Sequence, residues 1–86
     1  MTMDKTRKAV APQTLVEAHQ ALARIRPGRQ APLAEWLAYY QRSAAMYAEV
    51  AEIDPGHELE ALYWAQREKT RAANIAAQIR AQAPRE

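Results

Sequence analysis

Residues 36–68 read WLAYYQRSAAMYAEVAEIDPGHELEALYWAQRE, and this stretch decides the fold. Asp54-Pro55-Gly56 divides it. Proline stops a helix and glycine permits the reversal that follows. On both sides the composition is rich in Ala, Leu, Glu, Gln and Arg, all strong helix formers. Ahead of the break, Trp36, Tyr40, Ser43, Tyr47 and Val50 recur at spacings of four and three, which is one face of a helix. A turn this short sets two helices antiparallel. The stretch therefore predicts a helical hairpin.

Arg26-Pro27-Gly28-Arg29-Gln30-Ala31-Pro32 is the other break. The two breaks predict an all-α chain of three helices over about residues 12–26, 32–53 and 57–83. Helices 2 and 3 form a long antiparallel hairpin and a shorter helix 1 packs on it. Pro12 and Pro32 suit first-turn positions. Residues 11–83 form a single domain, residues 1–10 a disordered basic arm, and residues 84–86 a frayed tail. Leu15, Ala18, Leu22 and Ile25 make a narrow apolar stripe on helix 1. The apolar face of helix 2 spans about half its circumference, so it is expected to touch both other helices.

Helix 3 has two apolar faces. One carries Leu59, Leu62, Tyr63, Gln66, Ala73 and Ala77. The other carries Ala61, Ala65, Ala72, Ile75 and Ile79, with Glu68 in the middle and Trp64 beside it. The second series repeats like a coiled-coil seam. Counting outward from the turn sets Trp36 and Tyr40 against Ala72, Ala73, Ala76 and Ala77, and Tyr63 against Ala48 and Ala51. Large rings then face small residues, as close packing requires.

Composition narrows the function. Of 86 residues, 20 are alanine, and only 22 are apolar once alanine is set aside, so the core is thin. Cysteine is absent, which excludes disulfides and thiolate metal sites. The net charge of +2 argues against a strongly basic nucleic-acid binder. No apolar run reaches the ~18 residues of a membrane span, and no secretory signal follows the basic start. A bacterial cytoplasmic protein is expected; the excess of arginine over lysine and the heavy alanine usage point to G/C-rich codons.

Residues 36–68 resemble a family of short actinobacterial all-helical proteins of uncharacterised function, over about residues 14–80. The resemblance implies a bacterial cytosolic helical protein and carries no catalytic or binding residues. Ser43, Tyr47, Val50 and Pro55 are also similar in spacing to the second helix of a tetratricopeptide repeat. The Trp-x-x-Leu-Gly-x-x-Tyr first helix of that repeat is missing, and no second period follows.

The residues that carry chemistry are sparse. His57 lies among Glu52, Asp54, Glu58 and Glu60, and His19 follows Glu17, but neither has the inward Glu-x-x-His spacing of a helical metal site. No metal and no cofactor is expected. Ser43, the only serine, falls on the buried face of helix 2, where its hydroxyl bonds back to its own helix. No base stands beside it, so no catalytic residue is assigned and the chain reads as a non-enzyme. A small helical enzyme that surrounds a dianion needs basic residues turned inward. Arg24 and Arg42 fall on solvent faces, and Arg67-Glu68-Lys69-Thr70-Arg71 alternates as a solvated strip does.

A protein partner is the leading expectation. The aromatics are two tryptophans and four tyrosines, side chains favoured as interface anchors. The candidate interface is Trp36, Tyr39, Tyr63, Trp64, Ile75 and Ile79. Self-association through Trp64, Ile75 and Ile79 is the simplest form, since a two-fold dimer needs one patch. The alternative is a DNA-associated accessory protein. Its contacts are Lys5, Arg7 and Lys8 on the arm and Arg24, Arg26 and Arg29 at the end of helix 1.

Overall fold

A computed structural model describes residues 11–84. The chain folds as three helices: α1 (Leu15–Ile25), α2 (Leu33–Ile53) and α3 (Glu58–Gln82), with a short 3-10 turn at Pro55–His57 leading into the last. The expected basic arm lies outside the described residues. At 1.5 Å per residue α3 is about 38 Å long and α1 about 16 Å. α1 lies along the hairpin from Asp54 at its turn, which takes the Leu15 amide, to Tyr39, whose hydroxyl reaches the Leu22 carbonyl.

α1 starts at Leu15, later than Pro12, because Thr14 caps it. The Thr14 hydroxyl accepts the Glu17 N–H at 3.1 Å, and the Glu17 carboxylate accepts the Gln13 N–H at 2.8 Å. This pair satisfies donors that a helix start leaves open. Pro32 precedes α2, and its carbonyl accepts from Glu35 at 3.0 Å. The hairpin turn closes through the Asp54 N–H on the Val50 carbonyl at 2.9 Å and the His57 N–H on the Asp54 carbonyl at 2.9 Å.

The Asp54 carboxylate ties the start of α1 to the hairpin turn. One oxygen accepts the Leu15 N–H at 2.9 Å and the His57 Nδ1–H at 3.1 Å. These hydrogen bonds, the Leu15 amide first and His57 second, hold the Asp54 carboxyl below the usual carboxylate range. A depressed folded value means that the stability it contributes is present above the unfolded value of ~3.9 and is lost as pH falls through the folded one. Thermal melts of Asp54→Asn below pH ~5 are expected to show a shallower acid loss than the natural protein. Parallel acid limbs would mean that the contact with Leu15 does not form.

The core lies where the three helices meet. α1 contributes Leu15, Ala18 and Leu22, α2 contributes Tyr47, Val50 and Ala51, and α3 contributes Ala61. The stripes read on helices 1 and 2 are the buried ones, except that Ile25, at the end of α1, is exposed and Trp36, near the start of α2, is only partly buried.

The two faces of α3 are the reverse of the dimer expectation. Ala61, Glu68 and Ala72 are buried, and Trp64, Ala65, Ile75 and Ile79 are partly buried on the same side. The seam-like series is thus the intramolecular face. Leu59 is 82% exposed, Tyr63 62% and Leu62 46%. The reason is size: the rings of Tyr40 and Tyr47 already fill the space inside α2, and only alanines let α3 come close to them. Tyr63 accordingly does not pack on Ala48 and Ala51. Of the alanines expected under Trp36 and Tyr40, Ala72 and Ala76 are covered while Ala73 and Ala77 are exposed.

Candidate functional site

Three surfaces follow from this packing. The first is an aromatic and polar layer under α1. The Tyr47 hydroxyl and His19 Nδ1 are 2.7 Å apart, and the Trp64 ring stacks on Tyr47 at 5.9 Å between centroids while meeting His19 edge-on at 5.2 Å. Burial first, and the Glu68 carboxylate second, push the Tyr47 hydroxyl up to about 12, so it stays a donor across the physiological range.

Glu68 is the feature that sequence reasoning missed. It is buried, and its carboxylate accepts from Arg67 Nη1 at 2.8 Å. The Arg67 guanidinium lies over the Trp64 ring at 5.0 Å. The run from Arg67 to Arg71 is therefore not a uniformly solvated strip. Arg67 is partly buried and Glu68 points inward, while Lys69, Thr70 and Arg71 are exposed. The signal was in the sequence: Glu68 sits at a seam position, with an arginine beside it to neutralise it.

Second, the residues expected to form one interface are divided among different sites. Trp64 belongs to the layer under α1. Trp36 and Tyr39 are partly buried against each other, and the Tyr39 hydroxyl donates to the Leu22 carbonyl at 3.2 Å. Ile75 and Ile79 line the inner side of α3. Of the six, only Tyr63 stands free on the outside.

Third, the back of the hairpin carries an open groove of about 440 Å³. Ala44, Ala45 and Ala48 from α2 and Leu62 and Ala65 from α3 form its apolar floor, with Lys69 on the rim. No α1 residue borders it. The groove exists because alanines line it on both helices, Ala44, Ala45 and Ala48 on α2 and Ala65 and Ala72 on α3, and leave the valley between them shallowly filled.

The Ser43 hydroxyl donates to the Tyr39 carbonyl at 2.8 Å, and Ser43 is buried, so its proton is engaged within its own helix. Among the described residues, no three His, Asp or Glu side chains gather into a metal-binding group. Arg24, Arg26 and Arg29 are exposed but do not form a stripe. Arg24 borders a hollow with Arg42 and Glu49, whereas Arg26 lies over Trp36 on another side of α1. Lys5, Arg7 and Lys8 lie outside the described residues. No described helix is long and apolar enough to cross a membrane.

Set beside known protein families, curated proteins and solved structures, the chain matches none of them. The two resemblances drawn from residues 36–68 and 43–55 therefore add nothing to the functional argument, which rests on the groove and on the layer under α1.

Proposed function

We propose that the chain is a non-enzymatic helical interaction module that pairs with a second copy of itself through the groove between α2 and α3. The observation that carries this reading is the groove: apolar, alanine-floored and uncovered on the side away from α1. Two such hairpins set face to face make a four-helix arrangement, which buries both grooves at once. Leu62 replaces Trp64 and the two isoleucines as the anchor of this surface.

Charge favours a second copy over an unrelated partner. Glu52 and Glu58 stand exposed toward the turn end of the hairpin, while Lys69 stands exposed on the groove rim farther along. The two groups are separated by about 15 Å along the helices. A two-fold axis across the groove sets each group against its opposite in the other copy. Exposed pairs of this kind choose orientation more than they add affinity.

The test is sedimentation velocity over a range of concentrations. The natural chain is expected to approach twice its own mass, 9.7 kDa, as concentration rises. Leu62→Glu buries an unpaired charge in the groove of each copy, at a cost of roughly 2 kcal/mol or more, so association weakens about 30-fold or more. Leu62 is exposed in the single chain, so its helical content stays unchanged. A single-chain mass at millimolar concentration, or a dimer indifferent to Leu62→Glu, overturns the reading.

A further inference from the structure

We propose a separate binding site on the opposite side of the hairpin: the polar cavity beside the C-terminal end of α1 takes a compact dianion, held by Arg26 and Arg71. The cavity measures about 220 Å³ and is bordered by Arg26, Tyr40, Trp64, Arg67, Glu68 and Arg71. It does not rest on self-association, because the groove lies behind the hairpin and shares none of these residues.

Charge selects an anion. Three guanidiniums and one carboxylate border the cavity, leaving an excess of two positive charges. Arg67 and Glu68 neutralise each other at 2.8 Å. Among the described residues, no carboxylate lies within ion-pair distance of Arg26 or Arg71. The carbonyls at the end of α1 would repel an anion, but the Tyr39 hydroxyl already engages the Leu22 carbonyl there.

Geometry prepares the two arginines. Arg26 lies over the Trp36 ring at 5.0 Å and Arg71 over the Tyr40 ring at 5.8 Å. Trp36 and Tyr40 are themselves 5.6 Å apart. The two cations thus flank a single aromatic pair. An arginine held by its flat face keeps its N–H edge free, and that edge matches the paired oxygens of a carboxylate or phosphate. The Tyr40 hydroxyl makes no hydrogen bond to another described residue and supplies a further donor.

Size limits the ligand. Drug-sized sites occupy ~300–1,000 Å³, so this one fits only a small molecule. The shared chemistry is a compact pair of oxyanion acceptors, as in phosphate or a short dicarboxylate.

The experiment is a nuclear magnetic resonance titration of the ¹⁵N-labelled full chain at constant ionic strength, with inorganic phosphate in one arm and succinate in the other. Saturable shifts of the Arg26 and Arg71 Nε–H and the Trp64 indole N–H are expected in at least one arm, and the tighter arm names the source. Arg26→Gln and Arg71→Gln are each expected to weaken binding roughly ten-fold or more, whereas Arg24→Gln, which does not border the cavity, leaves it unchanged. All three arginines are exposed, so the variants keep the fold. Shifts that never saturate in either arm, or that Arg24→Gln weakens as much as Arg71→Gln does, overturn the proposal.

Discussion

Tyr47→Ala is expected to cost about 3–5 kcal/mol, the usual range for deleting a buried aromatic ring. Stability of roughly 0.05–0.15 kcal/mol per residue gives a chain of this length about 4–13 kcal/mol in total. The substitution therefore removes a large share of it. Tyr47 is buried at the meeting of all three helices, where it stacks on Trp64 and meets His19. Tyr47→Phe separates packing from hydrogen bonding. It keeps the ring and loses only the hydroxyl on His19, at about 1 kcal/mol, or a fall of 4–8 °C in Tm. Urea denaturation of both variants at neutral pH checks the difference. A Phe variant as damaged as the Ala variant would show that the hydroxyl, and not the ring, holds the layer.

The same residue shapes the alkaline limb. Its hydroxyl is pushed up to about 12 by burial first and the Glu68 carboxylate second. A raised folded value means that this contribution is fully present below the unfolded value of ~10 and is lost as pH rises through 10 towards 12. The stability difference between the natural chain and Tyr47→Phe is expected to shrink over that window.

Ala61→Leu is the second large effect. Ala61 has no exposed surface and belongs to the cluster formed by Tyr47, Val50 and Leu22. Three added carbons have no space there without off-rotamer side chains or a shift of α3, at about 1–3 kcal/mol and a loss of up to ~20 °C in Tm. Tyr63→Leu, on the exposed face, is expected to change stability by less than ~0.5 kcal/mol. The pair decides which face of α3 is inside. If the series from Ala61 to Ile79 faced solvent, Ala61→Leu would be close to neutral.

Much of the fold was legible because proline and glycine are unambiguous. Asp54-Pro55-Gly56 and Pro27-Gly28 placed both connections, and the spacing of Tyr40, Ser43, Tyr47 and Val50 gave the buried face of α2. The orientation of α3 was harder to read. Leu59, Leu62 and Tyr63 are its larger apolar residues near the turn, so hydrophobicity alone pointed their face inward. What turns a helix is the space its neighbour leaves, and the tyrosines of α2 leave room only for alanine. In the sequence, the rule that large rings face small residues applies to Trp36, Tyr40 and Tyr63; in the structure the inner alanines are Ala61, Ala65 and Ala72, and the buried rings are Tyr40 and Tyr47. Glu68 looked solvated because charge argues for a surface position. Its burial depends on Arg67, the next residue, and on the Trp64 ring beneath that arginine. The Thr14 and Glu17 cap was present in the sequence at the usual three-residue spacing. The Asp54 carboxylate on the Leu15 amide was not legible, since 39 residues separate the partners.

Self-association through the back of the hairpin is tested most directly by thiol labelling, because the natural chain has no cysteine to interfere. Single cysteines at Ala45, Leu62, Tyr63 and Ala61 report on the α2 side of the groove, its α3 side, the outer face and the core respectively. In dilute solution Ala45→Cys, Leu62→Cys and Tyr63→Cys should react quickly and Ala61→Cys slowly. At high concentration Ala45→Cys and Leu62→Cys should become protected while Tyr63→Cys stays fast. Groove cysteines whose rates do not change with concentration would mean that no second copy covers the groove.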